Sequence, residues 1–326
     1  MNRDRLRLSV FFRPFRYTGY SFTVANYLLV VLTLPALLHG VSLYGIYAVR
    51  VVSLSVAACM SGDALFELLF RKRSRLYDGS ALLCGFLLGL LLPPTMPWWT
   101  VAIGGVSAVF LGRQLFGGAG GSPFNAVCIG WAVLAISWPK LLDPSTACIG
   151  FSLSFEQVEY PLSVLRKLGA PALELFPLKA LLLGNQAGCI GTGPSLLLLG
   201  GGGVAVLLGL VHWIIPASFL GTIVVTSLLF IPAGSVHWYQ FSLMQLFTGY
   251  TMIGAFFLAA DFSSRPVAPG VMVLYGAIAG ILTVLFRVWS VFPEGLPFAL
   301  LIVNMAVPLL DRGRRPAGTV PEVVRI

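Results

Sequence analysis

Long apolar runs set what this chain can fold into. They lie at about 24–43, 46–70, 80–93, 98–112, 124–138, 193–211, 214–232, 244–260, 270–286 and 296–310, separated by short polar stops. The chain is 57% hydrophobic and only 10% charged, with a mean hydropathy of +0.90. Such a composition needs a bilayer as solvent. The runs are continuous rather than alternating, which sets a β-barrel aside. The expected fold class is an all-α polytopic membrane protein of about ten helices. The basic opening MNRDRLRLSVFFRPFR is too often interrupted to read as a cleavable signal peptide.

The net charge of +9 is placed as a membrane protein would place it. With a cytoplasmic N-terminus, the arginines of residues 1–23, the RKRSR stretch at 71–75, Arg113, Arg265 and the tail arginines all fall inside. Lys140, Arg166, Lys167, Lys179 and Arg287 fall outside. That asymmetry obeys the positive-inside rule and puts both termini in the cytoplasm. Five sections follow: a basic N-terminus (1–23), a first helical set (24–138), an outer loop with a Gly-rich entry (139–192), a second set (193–310) and a cytoplasmic tail (311–326). The five cysteines form no metal-ligand spacing, and those in apolar runs read as small packing residues.

Several runs are too short to cross a bilayer, which takes roughly 20 residues. Among them are the helix opened by Ser122-Pro123-Phe124-Asn125 and closed by Trp138-Pro139, and the run that stops at Pro93-Pro94. An internal likeness connects them to the second half. GSPFNAV at 121–127 matches GLPFALL at 295–301, and DGSALLCGFLL at 78–88 resembles TGYTMIGAFFL at 248–258. Each half then holds five segments, and an odd number inverts one half relative to the other. Short or broken segments at matching places in inverted halves point to a site between them.

Several residues could carry chemistry. Asn125 begins a short helix, where free N–H groups suit a polar or anionic ligand; an N-cap is the simpler reading. Asp78 and Asp261 read as caps, or as carboxylates deep in the membrane on an ion path. Asp63 and Glu67 share a helix face with Arg71, either as a ladder reaching the surface or as part of a cation path. Glu294 reads as a solvated loop residue. The Gly-rich GNQAGCIGTG at 184–193 either packs helices closely or wraps a planar ligand.

DGSALLCGFLL, RQLFGGAGGSPFNAVCIGWAVLAISWP, GNQAGCIG, TGYTMIGAFFLAADFSS and FPEGLPFALLIVNMAVPLLD together resemble the D subunit of Rnf-type ion-translocating electron-transport complexes. The B subunit of the sodium-pumping NADH:quinone oxidoreductase is similar. The resemblance spans residues 20 to 312. It implies two inverted five-helix repeats, similar to urea channels. It also implies an inner-membrane subunit in a complex that couples electron transfer to Na⁺ or H⁺ transport, beside flavin and iron–sulfur partners. A flavin site would draw on Phe124, Asn125, Gly188, Gly191 and Thr248. Family members carry covalent FMN on a threonine, and here that position holds Tyr160, preceded by Glu159, whose charge repels a phosphate. The expectation is that covalent FMN is lost and that FMN or riboflavin binds without a covalent bond. A flavin-free channel or scaffold on the same fold is the other reading.

Overall fold

The computed structural model describes residues 20–70, 76–118, 120–144, 160–169, 171–184, 186–231, 238–290, 292 and 294–312. Arg71, Cys148, Glu156 and Glu159, and both tails, lie outside the described residues. Every apolar run carries helix. In order they are α1 (Phe22–Tyr44), α2 (Ile46–Leu69), α3 (Ser80–Leu90), α4 (Trp98–Gly112) and α5 (Ala126–Ser137). Then come α6 (Pro161–Leu168), α7 (Ser195–Leu207), α8 (Ile214–Leu229), α9 (Trp238–Phe247), α10 (Thr251–Leu258), α11 (Pro269–Trp289) and α12 (Leu296–Arg312). Among the described residues, four helices are long and apolar enough to cross a membrane, or five if α9 and α10, bent by 66°, form one span. The chain is an all-α membrane protein.

α3 has 11 residues and α5 has 12. At 1.5 Å per residue they reach about 17 Å, roughly half of the hydrocarbon thickness. Their ends therefore carry free backbone groups where lipid offers no partner, and each such group costs several kcal/mol if left bare. The protein supplies the partners. Ile190 N–H donates to Leu92 O at 3.2 Å, and Gly191 N–H donates to Leu90 O at 2.7 Å. The Tyr250 hydroxyl donates to Leu91 O at 2.7 Å and accepts the Trp131 indole N–H at 3.2 Å. The Gly-rich stretch at 186–193 is thus buried against the end of α3, not displayed on a surface loop. A Cβ on Gly191 would stand 2.7 Å from Leu90 Cβ, so the small residue is set by close packing.

α2 packs on α3 and α4, and α4 on α5; in the second half α8 packs on α9 and α11, and α11 on α12. α1 meets α7 across the middle, and α5 meets α12. Small residues allow these approaches. Gly85 lies against the backbone of Val56, Gly89 against Val52, and Gly280 against Phe219 O. A second, smaller apolar cluster joins α6, Phe176 and Leu181 to Phe241 and Met244 of α9. α10 loosens into a π-turn over Gly254–Leu258.

Candidate functional site: two arginine junctions and a cavity

Two glycines with positive φ turn the chain into short helices. Gly79 (φ 72) precedes α3 and Gly249 (φ 66) precedes α10. This backbone region suits glycine, and it makes each entry sharp. A buried arginine docks at each turn. Arg113, just past α4, gives Nη2 to Ser80 Oγ at 2.7 Å. Arg287, in the last turn of α11, gives Nη2 to Thr248 O at 3.1 Å and Thr251 Oγ at 2.8 Å. Arg287 follows Arg113 by the same 174-residue offset that relates GSPFNAV to GLPFALL. The charge pattern alone places both arginines among the loop charges, yet they are 7% and 5% exposed. The shared offset is the signal that could have singled them out.

Their surroundings differ. Around Arg113, Asp63 Oδ2 lies 3.9 Å from Nη2, and the Gln114 amide holds Asp63 Oδ1. Asp63 is 1% exposed, because partners arriving after α4 let it stay buried. Glu67 lies one turn further along α2 and is also buried. Asp78 caps α3 through Ser80, and its carbonyl accepts from Asn26 Nδ2 at 2.9 Å. Nη1 of Arg113 is buried with no partner among the described residues. Around Arg287, Nη1 donates to Gln245 O at 2.6 Å and Gln245 Oε1 at 3.0 Å. Glu294 comes within 3.8 Å and is 3% exposed. The reading of Glu294 as solvated is corrected: the turn into α12 folds its carboxylate inward onto Arg287 and the Tyr250 N–H.

A cavity of about 50 Å³ opens beside Arg113. Asn26, Ser80, Arg113, Ser122, Asn125 and Asp261 supply its polar wall, with Phe22, Phe257 and Phe262 on the apolar side. Asn125 caps α5 by accepting from Cys128 N–H at 3.2 Å and donates Nδ2 to Leu258 O at 2.9 Å, satisfying the end of α10. Asp261 follows that end and accepts from Ser264 Oγ. Asn125 and Asp261 are therefore brought together. Phe124 sits beside Phe116, outside the cavity wall. Gly188 O accepts from the Tyr44 hydroxyl, and the Thr248 hydroxyl donates to Met244 O at the other junction. Neither they nor Gly191 belong to the cavity. Tyr160 is 0% exposed within the smaller apolar cluster, its hydroxyl without a partner among the described residues.

The model of the NQR2, RnfD, RnfE family matches residues 10–319. The D subunit of the Na(+)-translocating ferredoxin:NAD(+) oxidoreductase complex of Acetobacterium woodii is 31% identical, covering 95% of this chain and 94% of that protein. The D subunit of the proton-translocating ferredoxin:NAD(+) oxidoreductase complex of Clostridium ljungdahlii is 31% identical, over 86% of this chain and 87% of that protein. The D subunit of the ion-translocating oxidoreductase complex of Yersinia enterocolitica is 30% identical, over 93% and 95%. With the match running over nearly all of its length, the chain belongs to the NQR2, RnfD, RnfE family.

Proposed function

We propose that this chain is the D-type membrane subunit of an ion-translocating oxidoreductase complex in a bacterial cytoplasmic membrane, with both termini inside and a flavin held without a covalent bond. The relatives' names support the complex, and the apolar composition supports leaving NADH or ferredoxin to partner subunits. Two inverted five-helix repeats are supported by the paired glycines and arginines and by the like packing of α2 on α4 and α8 on α11. The Arg113 junction then faces the cytoplasmic side and the Arg287 junction the outer side.

The single observation that carries the flavin reading is the cavity lined by the buried cation Arg113, whose Nη1 has no partner among the described residues. A buried cation with an unused donor suits the acceptor-rich edge of a flavin ring. As it stands the cavity admits an edge and not a whole ring system. Phe22 and Phe262, whose rings meet at 6.2 Å, would part to admit the rest. A bound flavin would supply the electron chemistry that these side chains lack. Arg113 would hold the ring edge, Asn125 would keep the floor rigid, and the phenylalanines would exclude water. The full burial of Tyr160 in the apolar cluster that also holds Leu162, Phe241 and Met244 argues against a phosphodiester-linked FMN there.

To test this, the purified chain is denatured, and its mass and the released flavin absorbance are measured. Unmodified mass with released flavin is the expected result. An FMN-phosphodiester mass on the chain would overturn the reading of Tyr160. An unmodified chain with no flavin would favour the flavin-free channel or scaffold.

A further inference from the structure

We propose that Glu294 is a built-in carboxylate ligand of the Arg287 junction, supplied from within the chain as Asp63 is at Arg113. Three contacts place it. Its Oε2 lies 3.8 Å from Arg287 Nη2 and accepts the Tyr250 N–H at 3.2 Å. Its carboxylate lies over the α-carbon of Gly249, where any Cβ would overlap both oxygens. Gly249 therefore serves twice, once for its positive φ and once for its missing side chain. Arg287 is already bound to Gln245, Thr248 and Thr251, and the carboxylate joins that buried shell through Oε2, while Arg287 Nε and Glu294 Oε1 have no partner among the described residues.

The site's chemistry follows from these groups. It is a guanidinium and a backbone N–H at the start of a half-length helix, arranged to accept one carboxylate in a site without bulk water. Once Glu294 is trimmed, the class of ligand that fits is a small monocarboxylate such as formate. In the intact chain Glu294 already occupies that carboxylate place. This role of Glu294 does not depend on flavin binding at the Arg113 cavity, and a test without flavin separates the two.

The test uses the full chain in detergent, with thermal unfolding followed by tryptophan fluorescence. E294A is expected to unfold at lower temperature than the native chain. Formate should restore most of that loss in a saturable way, whereas chloride at equal ionic strength should not. The native chain and the E294A/R287M double variant should show no such response. A folded, monodisperse E294A that ignores formate overturns the proposal, as does an equal response in the native chain. If E294A is not recovered folded, E294Q, R287Q and their double variant form a thermodynamic cycle. Strong coupling supports the ligand role, and additive losses overturn it.

Discussion

At the Arg287 junction, four hydrogen bonds and a carboxylate from the same chain enclose the guanidinium. At the Arg113 junction, one hydrogen bond and a carboxylate at 3.9 Å, among the described residues, leave Nη1 buried without a partner, and the residue lines a cavity. The same device, an arginine docked on the glycine turn before a half-length helix, thus appears once closed and once open. The closed copy is a structural joint, held by four hydrogen bonds with Nε buried and without a partner among the described residues. The open copy has fewer contacts to the chain and lines a cavity.

The comparison breaks most sharply at Arg287. R287M strands Glu294, the carbonyls of Gln245 and Thr248, and Thr251; the expected loss is about 3–5 kcal/mol, as for breaking a buried pair. Thermal unfolding and size-exclusion profile in detergent check it. R113M removes one charge-assisted bond and weakens the hold on Asp63, an expected loss of about 1.5–3 kcal/mol. Its larger effect is on copurified flavin, expected to fall roughly tenfold or more in affinity, about 1.4 kcal/mol. If R113M and R287M cost the same stability and flavin is unchanged, the open–closed distinction fails. G191A should cost about 1–3 kcal/mol, since its Cβ meets Leu90 at 2.7 Å; an unchanged unfolding temperature would show that the end of α3 is loosely held. The smallest effect is Y160F. Removing a buried hydroxyl that has no partner among the described residues should leave stability within about 1 kcal/mol or raise it slightly. A large loss, read by the same unfolding curve, would mean that the hydroxyl has a partner at that site.

The helices are legible in the sequence because a hydrocarbon solvent imposes run length and apolarity directly on it. The half-length of α3 and α5, the capping role of Asn125 and the Gly-rich entry to α7 can all be read from Pro, Asn and Gly placement. Glu294 and the two arginines cannot be read in the same way. A buried loop glutamate and a solvated one have the same local sequence, and burial depends on what the chain folds back against. Phe124, Gly188, Gly191 and Thr248 stand outside the cavity, which is lined by Ser80, Arg113 and Ser122 together with Asn125.

By itself, sequence determined the membrane setting, the helical class, the order of segments and the places where helices stop short, since each follows from local hydropathy and backbone chemistry. Only tertiary structure decided which polar groups are satisfied. How many donors of Arg113 and Arg287 are met depends on side chains that arrive from distant parts of the chain, and that pairing separates a densely bonded joint from a junction beside a cavity.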